Sequence, residues 1–287
     1  MGQKVNALAF RLGLNRDWED SWHAEGEYTA SLHKDLLTKK YLTRVFREKD
    51  VLVGTIQIQR SLLQTHVSFP FHPLEKKVSG KGARRAQEAG REVSAPMSIP
   101  SLPNLPLSFS KIHAGLKIIN GPETYLHPRA LGSVTQKKRW RVEKRVSTAL
   151  RPYRDRSFFL EGVKVMAGAL GLGSASLLSR YFASELEKDR RHNNFIRFVH
   201  KALPLFLKAS SGLQGIRIQW KGRLNGSERS KTQVLTCGRV SFHTLAQEMD
   251  LGYTPTFTPY GVCSVKIWMS FAPRGPYPKK RCYDLKV

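Results

Sequence analysis

The chain has 287 residues, with 48 Lys and Arg against 22 Asp and Glu, and a formal net charge of +26. A hydrophobic share of 40% lets it bury a core, which excludes low-complexity disorder for the chain as a whole, and the length predicts roughly two domains. A self-repelling charge of this size calls for a counter-charged partner, and nucleic acid is the densest biological polyanion. A membrane partner would require a basic amphipathic helix or an acylation signal, and the sequence carries neither pattern. The apolar stretches near Val163 to Leu172 and Ala202 to Leu207 are broken by Gly, Lys and Pro, short of the roughly 18 residues that span a bilayer.

Residues 1–30 read as an N-terminal arm. Asp17, Glu19, Asp20, Glu25 and Glu27 stand where a cleavable transit peptide avoids acids, so either the protein is made where it works or the sequence is already mature. From Leu32 to Phe46 the apolar residues Leu32, Leu36, Leu37, Tyr41, Leu42 and Val45 recur at helical spacing and predict a basic helix with one buried stripe. Two short strands follow, Gly54 to Gln59 with Ile56 and Ile58 alternating, and His66 to Phe71 with Val67, Phe69 and Phe71 on one face. This block, residues 31–72, is too small to close its own core, so later sequence must cover it.

Residues 73–156 hold eight of the 15 prolines, and 18 Lys and Arg against six acids. The tract containing Pro96, Pro100, Pro103 and Pro106 denies both helix and ladder, because each proline lacks a donor and restricts its predecessor. The segment is therefore expected to be an extended basic insertion, ordered against a partner. Within it, the run from Gln136 to Arg145 either lies along phosphates as a short helix or is a solvated arm.

Over residues 157–209, a strand is expected at Phe158 to Met166. A helix follows from Ser174 with Leu178, Tyr181, Phe182 and Leu186 inward, then a second, capped by Asn193 and Asn194, with Phe195, Phe198, Val199 and Ala202 inward. Pro204 is expected to kink or end it. Residues 210–287 read as mostly strand: Ile216, Ile218 and Trp220 alternate with Arg217, Gln219 and Lys221, and Val265, Ile267, Met269 and Phe271 repeat the pattern. Lys266 and Trp268 are placed together on an outward edge, as a sheet facing RNA would present them. Trp220 is expected in the core, and Gly222 and Gly226 at tight turns.

Cys237, Cys263 and Cys282 show no metal-ligand spacing and read as free thiols in a reducing compartment. His243, Thr244, Cys263, Glu248 and Asp250 lie near one another in sequence, yet no nucleophile elbow, phosphate loop or metal pair accompanies them. Neither catalysis, a cofactor, a metal nor a small-molecule substrate is expected.

Several blocks carry a family resemblance. The opening Met1-Gly-Gln-Lys-Val-Asn6, Phe10-Arg-Leu-Gly13 and the tryptophans Trp18 and Trp22 form the first. Gly215-Ile-Arg-Ile218, Gly222-Arg-Leu-Asn-Gly226-Ser-Glu-Arg229, Gly238-Arg-Val-Ser-Phe-His-Thr-Leu245 and Tyr260-Gly-Val-Cys-Ser-Val-Lys-Ile-Trp268 follow in order. Together they resemble the universal S-three family of small-subunit ribosomal proteins over residues 1 to about 72 and about 157 to 271. The resemblance implies an α+β protein. A bacterial-type KH domain (type II, a βααβ RNA-binding module) would occupy 31–72 and 157–209, split by the insertion. An α/β C-terminal domain with a mainly antiparallel sheet and a basic tail would fill 210–287.

The resemblance further implies a structural protein of the subunit head, with small-subunit rRNA, neighbouring head proteins and mRNA at the entrance channel as partners. Two departures accompany it. The family's Gly-x-x-Gly backbone clamp should follow the second strand, where this chain has only Gly80-Lys-Gly82; Gly168-Ala-Leu-Gly171 comes later and reads as a chance match. At an mRNA-gripping Arg-Arg-x-x-Lys pattern of bacterial relatives, this chain has Ile196, Arg197 and His200, followed by Lys201. Arg197 and Lys201 share a helix face, which leaves either a weakened grip or an ordinary solvated face.

The expected rRNA contacts are Lys4 and Arg11 in the arm, Arg217, Lys221, Arg223, Arg229 and Lys231 around the first C-terminal hairpin, and Arg239, each weighed against plain solvated surface. A lost clamp and a Pro-rich basic insertion fit a mitochondrial ribosome, with a plastid ribosome as the alternative. The competing function is a free-standing RNA-binding or mRNA-maturation factor built from the same domains.

Overall fold

The computed structural model describes residues 5–24, 26–61, 64–74, 105–121, 123–130, 146, 148–154, 156–188, 191–209 and 212–272. Lys4, Gly80 to Gly82, the Pro96 to Pro103 tract, the run from Gln136 to Arg145 and Cys282 lie outside them. The architecture is α+β, and the chain divides into one unit of residues 20–133 and another of residues 1–19 with 134–287.

The 20–133 unit is a helical layer on a five-stranded sheet. Its strands are β1 (Asp20–Ser21), β2 (Val51–Val53), β3 (Gln57–Arg60), β4 (Thr65–Pro73) and β5 (Thr124–Ala130). β2 and β3 pair antiparallel with the two ends of the same edge of β4, while β5 runs parallel along its other edge. Pro70 accounts for the gap between β2 and β3. Its carbonyl accepts from Gly54 N–H at 2.7 Å on that edge, so the edge lacks the matching donor and the ladder breaks there.

Helix α1 (Tyr28–Glu48) and helix α2 (Leu105–Asn120) lie against the sheet, and Leu42, Phe46, Ile58, Val67, Phe69, Ile112 and Leu116 form the core. Later sequence covers this hairpin, as expected, yet the cover comes from inside the stretch assigned to an extended insertion. α2 and β5 belong to the first unit, so 73–156 is not one irregular arm. The apolar run from Leu105 to Ile119 is long enough to fold once a sheet is there to receive it.

Helix α1 also differs from its reading. Leu32, Leu36 and Leu37 are each 40% or more exposed, and the buried line is Asp35, Thr38, Leu42 and Phe46. Arg60 Nε donates to Asp35 Oδ1 at 2.8 Å and its Nη2 donates to Asn120 Oδ1 at 2.8 Å, while Asn120 Nδ2 donates to Thr38 Oγ1 at 2.8 Å. This network joins α1, β3 and α2 through polar side chains, on a buried line that the aliphatic spacing did not mark.

The other unit places helices α3 (Phe159–Leu172), α4 (Ala175–Lys188) and α5 (His192–Ala209) with a four-stranded antiparallel sheet. Its strands are β6 (Leu213–Gly222), β7 (Lys231–Gly238), β8 (Met249–Thr258) and β9 (Gly261–Phe271), in the order β7, β6, β9, β8. Ile216, Ile218, Trp220, Val265, Ile267 and Met269 are buried against α4 and α5, as their alternation predicted. Gly252 on β8 faces the Ala175 carbonyl of α4 and lies 2.8 Å, measured from where its Cβ would be, from Ser179 Oγ, so glycine alone permits the approach.

Residues 158–166 form the start of α3 and not a strand. A run this apolar packs on nearly all sides, with Val163, Val165, Met166, Ala169 and Leu170 all buried, and such a run has no period that separates strand from buried helix. Gly168 and Gly171 are interior to α3. α3 ends at Gly173, whose φ of +69° is the left-handed cap that glycine supplies without strain. α5 starts at His192, one residue before the expected caps, and runs through Pro204 to Ala209; Leu203 and Phe206, buried on either side, hold the turn together despite the missing donor.

Candidate nucleic-acid interface

The N-terminal arm is fastened to its unit by two arginines. Arg11 is 1% exposed: its Nε donates to Gln247 O at 2.8 Å, Nη1 to Ala7 O at 2.8 Å, and Nη2 to Ser241, Phe242 and Thr244 carbonyls at 3.1, 3.0 and 2.8 Å. Arg11 is therefore not an RNA contact, as the sequence reading had it. A planar fork of five donors fits a loop whose carbonyls have no ladder partners. Arg16 Nη1 pairs with Asp250 Oδ1 at 2.7 Å, and Asp250 Oδ2 accepts the Ala175 N–H at 2.7 Å at the start of α4. Asp250, once weighed as a catalytic acid, is a helix cap and ion-pair partner, and Cys263 is buried beneath Gly222.

The remaining cations divide by position. On the sheet face away from the helices, in register, lie Arg217 with Trp268, Gln219 with Lys266, and Lys221 with Ser264. Because β9 is an inner strand, Lys266 and Trp268 sit mid-face and not on an edge. The Arg217 guanidinium lies 5.4 Å from the Phe242 ring centroid and 5.8 Å from that of Trp268, so cation–π contacts hold it against the sheet while it keeps its charge. Lys266 Nζ rests 5.4 Å above Tyr253, and Tyr253, Phe257, Val234 and Val262 expose apolar surface on this face. The sequence reading passed over Tyr253 and Phe257, although their two-residue alternation in 249–258 was available as a signal.

The β6–β7 hairpin carries the exposed cations Lys221, Arg223, Arg229 and Lys231. Arg223 is partly committed to its own turn, donating to Ser227 O at 2.8 Å and Tyr260 O at 3.3 Å. Lys221, Arg229 and Lys231 form no ion pair with another described residue. The turn is shaped by Gly222 at φ +147°, Asn225 at +57° and Gly226 at +71°. It is pinned to the first turn of α5: Asn225 Oδ1 accepts the Asn193 N–H at 3.1 Å, and Asn225 N–H donates to His192 Nδ1 at 3.1 Å.

That pin ties the hairpin's turn to the start of the helix bearing Arg197, His200 and Lys201, all exposed. Lys201 Nζ lies 5.5 Å from the Tyr153 ring centroid. Arg239 is exposed just past β7 and stands apart from the hairpin tip. Burial lowers the pKa of Arg180 on α4 from its ordinary value and pushes the Cys237 thiol up, so that thiol stays protonated at neutral pH. Cys237 and Cys263 are free thiols. The described helices include none long and apolar enough to cross a membrane.

A family model described as ribosomal protein S3, C-terminal domain, matches residues 183–269, which includes the late turns of α4, all of α5 and nearly the whole sheet. Small ribosomal subunit protein uS3 of Lactobacillus johnsonii is 26% identical over 271 residues, 94% of this chain and 91% of the relative. The uS3 protein of Nitrosococcus oceani is 27% identical over the same shares, and that of Trichlorobacter lovleyi is 27% identical over 93% of this chain and 95% of its own. These alignments run through 73–156, which the motif-based resemblance had left out.

Proposed function

The chain belongs to the uS3 family of small ribosomal subunit proteins, and from that membership we propose how its surfaces serve the ribosome. It is a structural component that binds rRNA and not a catalyst. The observation that carries the reading is the set of exposed cations Lys221, Arg229 and Lys231 on the β6–β7 hairpin, whose turn Asn225 pins to the first turn of the helix bearing Arg197 and Lys201, all inside the family match. Such cations displace condensed counterions from phosphates and position the protein without reading sequence.

The first unit supports a KH-type reading with a changed assignment. A hairpin, a helix and a third strand parallel to β4 complete one sheet by residue 130, so the third strand is β5 and not residues 158–166. Placement on the subunit head beside neighbouring proteins follows from the family resemblance. A reduced grip on mRNA at the entrance channel is supported by Arg197, His200 and Lys201 sharing the exposed side of α5. A mitochondrial ribosome is supported by the basic, Pro-rich composition of 73–156; fractionation of a tagged copy into plastids would reject it.

The test of the interface is a hairpin variant, K221E with R229E and K231E, bound to small-subunit rRNA across a salt series. Each lost phosphate contact should flatten the slope of log affinity against log salt by about 0.7 to 0.9. An unchanged slope would remove the hairpin from the interface.

A further inference from the structure

The 20–133 unit turns a polar face of its sheet to solvent, away from Val67, Phe69 and Leu116. Three rings line up on it. The His66 ring lies 5.4 Å from Tyr125 with 21° between planes, and 5.2 Å from His127 with 24°. The row follows from register: His66 pairs with Tyr125 and Ser68 with His127 across the parallel β4–β5 ladder, so alternate residues share the outward face. Tyr125 Oη donates to Glu123 Oε2 at 2.9 Å, and His66 Nδ1 shares a hydrogen bond with His127 Nε2 at 3.0 Å. These bonds hold the rings in place, and the bond to Glu123, with that carboxylate's charge, keeps the phenol proton on. Tyr125 is 41% exposed, and His127 is exposed.

We propose that this face is a stacking platform for unpaired RNA nucleotides, with bases laid against the exposed faces of Tyr125 and His127, two members of a row of rings set side by side with nearly parallel planes. It rests on the reading of the chain as an RNA-binding ribosomal protein, and it is separate from the cations of the hairpin and α5.

Three features favour RNA over a protein partner. Flat rings already aligned accept a base with little ordering cost, and base–aromatic stacking tolerates any sequence. The same face carries Gln59 opposite His66 and Gln57 opposite Ser68, amides able to meet base edges, and Arg129 two residues beyond His127. The core of a protein interface is desolvated and mostly apolar, whereas among the described residues the outward positions of β3, β4 and β5 are, apart from Pro70, polar or aromatic. Among the described residues Glu123 is the one acid on the face, just before β5 and at the other end from Arg129, and its charge is engaged by the Tyr125 hydroxyl.

The experiment titrates the full-length protein with fluorescein-labelled decaadenylate and decauridylate. Y125A and H127A should each weaken decaadenylate binding by about tenfold, and Y125F, which keeps the ring, should stay within about twofold. Decaadenylate should bind more tightly than decauridylate, because purines stack better. Cross-linking of a 4-thiouridine oligonucleotide to the unsubstituted protein should mark residues 123–129, a readout that needs no variant to fold. Wild-type affinity in Y125A, or cross-links absent from 123–129, would overturn the platform. So would a Y125A protein that binds oligonucleotide normally yet fails to enter subunits, since that result assigns the face to a protein. A wild-type protein that bound no small-subunit rRNA would instead overturn the parent reading.

Discussion

Arg11 and Arg217 carry the same charge as Lys231 but perform different work. Arg11 gives its donors to five backbone carbonyls, and Arg217 lies against the touching rings of Phe242 and Trp268, whereas Lys231 stands in solvent. Removing Arg11 empties a buried position and takes the donors from these carbonyls, so R11A should lower stability by about 3 kcal/mol, read as a shift in the urea midpoint. R11K should recover little, since an ammonium has three donors and no fork. The sign of each charge is plain in the sequence, but its direction is not. In a chain of net charge +26 every cation looks available to phosphate. The clue to Arg11 was that the Phe10 to Gly13 and Gly238 to Leu245 blocks both belong to the family pattern, and the structure shows them bonded to each other.

The elements whose pattern had a single meaning came out as read: α4, α5 and the alternating strands β4, β6 and β9 bury the faces their spacing assigned. Elements whose signal was shared between two structures did not. The apolar run at 158–166 fits a strand or a buried helix, and the α1 stripe ignores that Asp35 can be buried when Arg60 meets it. Proline density likewise hid α2 and β5, because it dominates the composition of 73–156 while leaving Leu107 to Asn120 free of proline. Deleting 84–150 should therefore unfold the first unit, taking Ile112 and Leu116 out of the core at about 2 to 3 kcal/mol each. Circular dichroism of the shortened protein through a thermal ramp checks this, and a transition matching that of the full chain would contradict it. At the hairpin, Asn225 supplies both a left-handed backbone and the cap of α5, so N225A should cost about 2 kcal/mol and N225G about half that, by denaturant titration.

At the scale of the whole molecule, a surplus of 26 positive charges is stable only in company. Partner class was legible at this scale, since net charge is a sum over many residues and survives local error, whereas the fold class came with the family resemblance. The interface was legible only in outline: the hairpin cations were named, but their union with α5 depends on one asparagine, and the ring row on β4 and β5 depends on a register that joins residues some sixty positions apart. The central claim is that this protein is built into a ribosomal small subunit through its cationic surfaces. Sedimentation of a tagged full-length copy through sucrose gradients at moderate and then high salt tests it directly. The expected result is co-migration with the small subunit at moderate salt and release as salt rises, with the K221E, R229E, K231E protein released first. Recovery only from free fractions at every salt concentration would contradict it.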